Sequence, residues 1–406
     1  MEWKLKDLTV DGKGSYGIGA SAVPYQEDKL TYLRITDIND DGSLNFSDLK
    51  SVDAEDAEKY ILKENDIVFA RTGNSTGRSY FYEKQHGTFV YAGFLIKFSL
   101  DPNKVNPRIL KYYTHSKPYF DWVNSFDTGA TRGNINAKTY GDMEIELPSR
   151  KVQDKIVSIL SSLDRKIELN NKINTDLEEM AQAIFKNWFV DFEPFKDGKF
   201  VDSELGMIPE GWKVGRADDF YQINIGKTPP RKEHKWFSTN PADKIWVSIA
   251  NMGNSGIFIS DSSEYLTKEA VDRHNIIMVP RNTILLSFKL TVGRVAIADK
   301  ELTTNEAIAR FILSDDKYME YLYLYLKKYD YNSLGSTSSI ATAVNSKTIK
   351  GMQMLQPSDK IIDAFHIQVN PIFEKIRSLT KENSRLSTLR DTLLPRLMSG
   401  ELEVLE

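Results

Sequence analysis

The chain has 406 residues and a formal net charge of -4, which is long enough for two or three separately cored domains. It contains no cysteine, which excludes a disulfide framework and a thiolate zinc site and fits a reducing cytoplasm. The first ten residues lack the pattern of a signal peptide, and no run reaches the ~18 apolar residues of a membrane span. We therefore expect a cytoplasmic protein without a membrane contact.

Residues 1–148 predict an α+β domain. Strands are predicted where β-branched and aromatic residues lie between turn signals, at 31–38, 66–70, 93–99 and 142–147. Short helices are predicted at 107–113 and 119–124.

Two polar loops of this domain contain side chains of the types that bind DNA. They are RTGNSTGR at 71–78 and TGATRGNIN at 128–136. Arginine can bond guanine through two hydrogen bonds, asparagine can do so with adenine, and hydroxyl groups bind phosphates. Ordinary polar turns have a similar composition, so the assignment is a hypothesis. The candidate contacts are Arg71, Thr72, Asn74, Thr76, Arg78, Thr131, Arg132 and Asn134.

Residues 149–195 predict a long amphipathic helix that ends at Pro194. Apolar residues recur at intervals of three and four, including Ile159, Leu160, Met180 and Phe185. A helix about 55 Å long needs an equally long partner to cover its apolar face. The aromatic cluster at 185–195 is either an exposed docking patch or, as we favour, the seam between this helix and the following domain.

The second half of the chain repeats the first. Residues 196–211 form a polar linker, 212–357 a second domain, and 358–406 a distal helix with a tail. Matching residues lie 209 positions apart in both the domains and the helices, as in Trp3 and Trp212, Asn136 and Asn345, Asn174 and Asn383, and Ile184 and Leu393. The chain is therefore predicted to be a tandem repeat of a domain and a helix.

The equivalent loops of the second domain have different side chains. SFKLTVGR at 287–294 takes the place of 71–78, and LGSTSSIATAVN at 334–345 takes the place of 128–136. The candidate contacts here are Ser287, Lys289, Thr291 and Arg294. One scaffold with two sets of loops predicts two recognition domains with different targets.

The two long helices are predicted to pack as an antiparallel coiled coil, which would relate the domains by a pseudo-twofold axis. The length of the helix pair would then place the two recognition domains on two DNA half-sites about one turn of the duplex, ~34 Å, apart. Asn170 falls on the apolar stripe of the central helix, and it is, like the matched Asn174 and Asn383, either a buried register-setting residue or a solvated edge position. Pro371 predicts a kink in the distal helix.

Motifs of nucleotide-binding enzymes occur without their structural context. The run GKGSYG at 12–17 is followed by Gly19 and Pro24 rather than by a helix, and Pro229 follows GKT at 226–228. The five histidines are scattered without metal-ligand spacing. We assign no catalytic and no metal-binding residues.

The chain resembles the DNA-specificity subunit of type I restriction–modification systems. The resemblance spans the full length and is carried by LDRKIELNNKINTDLEEMAQAIFKNWFVDFEP, by IPEGWKV and by TLLPRLMSGELEV. It implies a non-catalytic subunit whose two target-recognition domains bind the halves of a bipartite, asymmetric double-stranded DNA site. In that family the helices dock two adenine-methyltransferase subunits, and two restriction subunits can join. S-adenosylmethionine, ATP and Mg would be held by those partners and no cofactor by this chain.

Two other classes of protein remain open from the sequence. One is a coiled-coil scaffold that binds only proteins, and the other is an enzyme with a cryptic site. A steep salt dependence of DNA binding would separate the first from a DNA-specificity subunit, and binding of a nucleotide or of S-adenosylmethionine by the isolated chain would reveal the second.

Overall fold

The computed structural model describes residues 2–126, 133–254, 256–334 and 344–403. The chain forms two compact units, the first made of Met1–Ile167 with Arg385–Glu406 and the second of Glu168–Ser384. Each unit combines one predicted domain with segments of both long helices. Both units are α+β.

The first unit has ten strands and three short helices among its described residues. The strands are β1 (Glu2–Lys4), β2 (Ser15–Tyr16), β3 (Ala22–Pro24), β4 (Thr31–Leu33), β5 (Lys50–Val52), β6 (Asp66–Ala70), β7 (Ser79–Phe81), β8 (Phe89–Tyr91), β9 (Leu95–Ser99) and β10 (Glu144–Glu146). The helices are α1 (Arg108–Tyr113), α2 (Lys117–Asn124) and α3 (Ala137–Gly141), and the long helix α4 (Arg150–Phe189) begins in this unit.

Two four-stranded sheets build the first unit. One has the order β2-β9-β6-β7, and the other has the order β3-β5-β4-β8 with β4 and β8 parallel. β6 is buried along its whole length, which explains its continuous apolar run. β1 pairs with β10, so that the start of the domain lies beside its end.

The second unit follows the same plan. Its strands are β11 (Phe200–Val201), β12 (Ile208–Pro209), β13 (Lys213–Arg216), β14 (Gln222–Ile225), β15 (Phe237–Ser238), β16 (Lys244–Val247), β17 (Phe258–Ile259), β18 (Tyr265–Leu266), β19 (Ile284–Ser287), β20 (Val295–Ala298), β21 (Thr303–Thr304), β22 (Ile308–Ile312) and β23 (Gln353–Gln356). Its helices are α5 (Ala217–Phe220), α6 (Ile249–Asn254), α7 (Lys268–Arg273), α8 (Met319–Lys328), α9 (Ser346–Lys350) and α10 (Asp359–Met398).

The sheet orders of the second unit match those of the first. The order β14-β22-β19-β20 corresponds to β2-β9-β6-β7 and gains β17 at its edge, and β15-β18-β16-β21 corresponds to β3-β5-β4-β8. The parallel pair recurs as β16 with β21, and the terminal pair recurs as β13 with β23. The duplication predicted from the sequence is therefore present in the topology.

Two asparagines that match between the repeats have the same structural role. Asn136 and Asn345, which are 209 residues apart, are the N-caps of α3 and α9. Each side-chain oxygen accepts a backbone N–H of the first helical turn, from Thr139 at 2.9 Å in one case and from Thr348 at 3.0 Å in the other. The sequence match at these positions is thus a repeated helix cap.

The long helices α4 and α10 have 40 residues each, and their first residues are 209 positions apart. They run antiparallel within each unit. In the second unit, Asn170 of α4 bonds Asn383 of α10, whereas Phe185, further along α4, packs on Phe365, which lies earlier on α10. In the first unit, the Asp164 carboxylate lies 3.2 Å from the Arg390 guanidinium. The predicted antiparallel pairing is confirmed in both units.

Apolar side chains of both helices enter the core of each unit. The first core holds Ile156, Leu160, Leu394 and Leu397, and the second holds Phe185, Phe189, Phe365, Val369 and Phe373. Burial of each such side chain contributes about 1.5–3 kcal/mol. Phe189 also packs against Trp212, so the favoured seam between helix and second domain is confirmed.

Two details of the helix prediction were wrong. The periodicity placed Ile159 and Met180 in the buried stripe, but they are 37% and 54% exposed because the partner helix covers a narrower face than the pattern allows. α4 ends at Phe189 rather than at Pro194, because the carbonyl of Lys186 accepts from two successive amides and Phe192 turns to a φ of +54°. α10 runs as one helix through Pro371, and the kink predicted there stays a prediction.

Buried ion pairs attach each domain to its helices. In the first unit the Asp164 carboxylate of α4 lies 3.2 Å from the Lys111 ammonium and accepts from the Tyr112 hydroxyl at 2.9 Å. Burial raises the pKa of Asp164, but Lys111, Tyr112 and Arg390 together bring it below its usual value. In the second unit Arg377 of α10 bonds the buried Asp299 at 2.9 Å. Charged contacts thus fix the domains on the helix pair.

The strand predictions differ from the structure mainly at their ends. The strand predicted at 66–70 is confirmed as β6, and those at 93–99 and 142–147 shorten to β9 and β10. The region predicted at 31–38 keeps only β4, since Ile35–Asp37 form a 3-10 turn. Among the described residues, no helix is both long and apolar enough to cross a bilayer.

Candidate DNA interface

The first candidate loop, residues 71–78, joins β6 to β7. The hairpin closes through Ala70 and Arg78, whose backbone groups bond at 2.8 Å. Gly77 has a φ of +88°, and a Cβ there would lie 2.5 Å from a methyl carbon of Val123. Only glycine fits this position, because the turn is left-handed and α2 packs directly against it.

Arg71 and Asn134 come together from the two different candidate loops. The Arg71 Nε donates to the Asn134 Oδ1 at 3.4 Å, and the Arg71 carbonyl accepts from Ile135 at 3.0 Å. The Arg71 guanidinium also lies 5.0 Å from the ring centre of Tyr16, a residue that the sequence did not single out. Among the described residues, Arg71 makes no ion pair with a carboxylate. Its charge is therefore available to a ligand.

Other candidates of this loop have structural partners. The Arg78 Nε bonds the Asp40 carboxylate at 2.6 Å and its Nη1 donates to the Ile38 carbonyl at 3.0 Å, so Arg78 holds the loop within the unit. The Thr76 hydroxyl lies 2.8 Å from the Gly73 carbonyl and 2.9 Å from the Gly133 carbonyl, which ties two loops together. Thr72 is half-buried and Asn74 is exposed. Thr131 and Arg132 lie outside the described residues.

The second candidate loop, between β19 and β20, places its predicted residues differently. Ser287 is completely buried, and its Oγ donates to the Thr291 carbonyl at 2.6 Å and accepts from the Arg294 amide at 3.0 Å. The Arg294 Nη1 donates to the Ile249 carbonyl at 2.8 Å. Ser287 therefore braces the loop from inside, and its assignment as a DNA contact stays an untested prediction. Lys289 and Thr291 are exposed at the tip.

A basic segment beside this loop was missed. Residues 227–236, KTPPRKEHKW, carry four basic side chains and one acidic side chain. The Arg231 guanidinium lies 4.2 Å from the ring centre of Phe237 and 4.5 Å from that of Trp246, and it bonds Glu264 at 2.6 Å. The density of lysine and arginine around Pro229 is the sequence signal that marks this segment.

Glu306 links the basic segment to the tip of the second loop. The Thr228 hydroxyl donates to the Glu306 carboxylate. Burial raises the pKa of Glu306, yet the hydrogen bond from Thr228 and the charges of Lys289 and Arg231 bring it below the usual value. Lys289 and Arg231 therefore lie near the same carboxylate, on one side of the second unit.

The glycines of the rejected nucleotide motifs have a structural explanation. Gly17 and Gly226 are 209 residues apart, and a Cβ would lie 2.2 Å from the Tyr91 carbonyl oxygen at the first and 1.9 Å from the Asn305 carbonyl oxygen at the second. Both positions need glycine so that two backbone segments can meet. In the described residues, no group of three or more histidine, aspartate and glutamate side chains is arranged to hold a metal.

Comparisons with known proteins agree with this architecture. The family model for the type I restriction modification DNA specificity domain matches twice, at residues 6–179 and 209–368. The HindI specificity subunit of Haemophilus influenzae is 28% identical over 85% of this chain and 88% of its own length. The MjaIX specificity subunit of Methanocaldococcus jannaschii is 31% identical over 73% of this chain and 69% of its own length.

The fold also has a solved counterpart. The type I S subunit from M. genitalium aligns over 100% of this chain and 96% of its own, with a TM-score of 0.55 and 14% identity. The two matched regions of the family model each begin in one domain and end in the long helix that follows it, so they reproduce the repeat found in the sequence. The chain belongs to the family of type I restriction–modification DNA specificity subunits.

Proposed function

We propose that this chain recognises a bipartite, asymmetric double-stranded DNA target, with one half-site bound by each unit. The observation that carries the proposal is a repeated scaffold with unlike loop tips. The hairpin β6–β7 presents Arg71 and Asn74, whereas the equivalent hairpin β19–β20 presents Lys289 and Thr291. Equal scaffolds with unequal side chains at the tips bind unequal base sequences.

Base contacts in the first unit are assigned to Arg71, Asn74 and Asn134. Arg71 and Asn134 form one surface, and their side chains match the hydrogen-bonding edges of guanine and adenine. In the second unit Lys289, Thr291 and the basic segment 227–236 supply hydroxyl and cationic groups for phosphates and base edges. The overall charge of -4 is compatible with this, because the basic groups are grouped near the loops.

The chain itself would perform no chemistry, and its helices would dock the subunits that do. We assign adenine methylation to two partner methyltransferase subunits that bind S-adenosylmethionine, with restriction subunits that use ATP and Mg as further partners. Exposed apolar side chains support a docking role for the helices. Leu169 and Met180 on α4, and Ile367 on α10, are more than half exposed in the second unit.

Mapping of methylated adenines tests the proposal. The chain is expressed with its methyltransferase subunits in a host that lacks adenine methylation, and modified positions are determined across the genome. The expected result is one target with two different half-sites and a fixed spacer. Methylation without sequence preference, or a continuous target, would refute the proposal.

A further inference from the structure

Leu290 is the most exposed large apolar residue in the described chain. Its side chain is 100% exposed at the tip of the loop between β19 and β20. Its backbone has a φ of +62°, in the left-handed region that bulky side chains rarely adopt. Both features cost free energy, so neither is explained by the stability of the domain.

The loop holds Leu290 outward on a rigid base. The Thr291 amide donates to the Lys289 carbonyl at 2.7 Å, which closes a three-residue turn centred on Leu290. Beneath the turn, the buried Ser287 Oγ donates to the Thr291 carbonyl at 2.6 Å, and Phe288, which is 1% exposed, is fixed by its amide to the Ala307 carbonyl at 2.9 Å. A buried base thus carries a single projecting leucine.

The equivalent position of the first unit has a different residue. Gly77 and Gly293 are equivalent positions of the two loops, 216 residues apart. The same offset makes Asn74 the equivalent of Leu290. Asparagine tolerates a left-handed backbone and is at home in water, and glycine would fit the turn still better. Leucine suits both the left-handed backbone and the exposed position poorly, which points to a role in binding.

We propose that Leu290 is a specificity-determining residue that packs against the 5-methyl group of a thymine in the half-site bound by the second unit. The inference rests on the proposed function. The major-groove edges of the four bases carry hydrogen-bond donors and acceptors, and the thymine methyl is their one apolar group. A leucine without hydrogen-bonding atoms can select only that feature. Lys289 and Thr291 on either side supply contacts to phosphates.

The test uses the full chain assembled with its methyltransferase subunits and a duplex that carries the mapped target. Each thymine of the second unit's half-site is replaced in turn by deoxyuridine, which lacks only the methyl group. For the wild-type complex, one replacement is expected to raise Kd about fourfold, the loss for one buried methyl-sized group. For Leu290→Ala the same replacement is expected to have no effect.

A second variant separates binding from folding. Leu290→Asn restores the residue type of the first unit and suits the left-handed backbone, so its Tm is expected to equal or exceed that of the wild type. Its Kd for the thymine-containing target is nevertheless expected to rise about fourfold, as after loss of the methyl contact. Leu205→Asn, at another exposed leucine, is the matched control and is expected to leave Kd unchanged.

Two outcomes would overturn the inference while leaving the proposed function intact. One is equal sensitivity to deoxyuridine in the wild-type and Leu290→Ala complexes. The other is insensitivity to every deoxyuridine together with a DNA bend that disappears in Leu290→Ala, which would make the residue a wedge between base pairs. If the wild-type complex binds the target and unrelated duplexes equally, the proposed function itself fails.

Discussion

The side-chain amide nitrogen Nδ2 of Asn170 on α4 donates to the side-chain oxygen of Asn383 on α10 at 2.8 Å, in the interior of the helix pair. The same nitrogen lies 2.9 Å from the Glu382 carboxylate, and the Asn383 amide in turn donates to the Asn171 oxygen at 2.7 Å. Asn170 is completely buried and its own oxygen has no hydrogen-bond partner in the described residues. A polar pair at such a site specifies one alignment of the helices and reduces stability.

Replacement of both partners, Asn170→Leu together with Asn383→Leu, is expected to raise the free energy of unfolding by about 1–2 kcal/mol, because the polar pair leaves an apolar interface and neither partner remains unbonded. The same change is expected to broaden the spacer lengths accepted in the DNA target, since the alignment of α4 and α10 is less strictly fixed. Urea denaturation and methylation mapping measure the two effects. Lower stability with an unchanged spacer would contradict the register role.

The register hypothesis from the sequence named Asn170, Asn174 and Asn383. The structure joins Asn383 to Asn170 and Asn171, whereas the Asn174 oxygen is buried and has no hydrogen-bond partner among the described residues. The sequence repeat correctly marked Asn383, but equal positions in two repeated helices do not face each other when the helices run antiparallel. In an antiparallel pair, the residue numbers of two facing residues add up to a nearly constant sum, whereas residues matched by the repeat differ by 209.

A buried carboxylate gives the second unit a pH dependence. Glu320 on α8 is fully buried and bonds the His366 ring at 2.8 Å. Burial raises the pKa of Glu320 above its usual value, and the hydrogen bond from His366 only partly opposes this. The contribution of Glu320 to stability is therefore complete below about pH 4.5 and is lost as pH rises through the raised folded-state value.

Glu320→Gln removes this titration. The stability of the variant relative to the wild type is expected to increase as pH rises from about 4.5, and to level off once the wild-type carboxyl has ionised. Urea denaturation in steps from acid to neutral pH measures the difference. A difference that stays constant with pH, or that falls, would show that the carboxyl ionises normally in the folded chain.

Arg71 and Arg78 have the same residue type and loop but different surroundings, so they provide a matched pair. Arg71→Ala is expected to weaken DNA binding by about 1–3 kcal/mol and to relax one base of the first half-site, because its guanidinium makes no ion pair among the described residues and can bond a base edge. Arg78→Ala is expected to lower Tm instead, because it removes the bond to Asp40. Binding to duplexes with single base changes tests both. If Arg71→Ala weakens binding to all of these duplexes equally, Arg71 contacts a phosphate rather than a base.

Met180 is a candidate contact of a methyltransferase subunit, since it is 54% exposed on α4 and does not belong to the second unit's core among the described residues. Met180→Glu is expected to weaken assembly by about 2 kcal/mol, the value for one buried apolar side chain, with DNA specificity retained in the complex that forms. Calorimetric titration of the two subunits measures this. Leu205→Glu, in the linker, is the control, and equal affinity for both variants would place the docking surface elsewhere.

The sequence was informative where the repeat imposed equal local structure. The helix caps at Asn136 and Asn345 and the glycine turns at Gly77 and Gly293 recur because each is fixed by its immediate backbone. The chemistry of the loops was less predictable, because the fate of a polar side chain depends on residues far along the chain. Arg78 forms an ion pair with Asp40, and the sequence of residues 71–78 does not indicate this partner.

Burial and backbone angle were equally hidden from the sequence. Ser287 is buried under its own loop, whereas Leu290 three residues later is fully exposed, which reverses the order expected from polarity. The positive φ of Leu290 cannot be inferred from composition, since leucine is a poor choice for it. The residues that sequence reasoning placed least well are those whose local conformation is unfavourable, as is common at binding sites.

Exchange of one domain for the other tests the central claim that each unit recognises one half-site. Residues 212–357 are replaced by 3–148, which occupy the equivalent positions at an offset of 209, and the chimera is expressed with the methyltransferase subunits. Methylation mapping is expected to give a palindromic target in which both halves are the half-site bound by the first unit. A target that keeps its original asymmetric sequence would contradict the account.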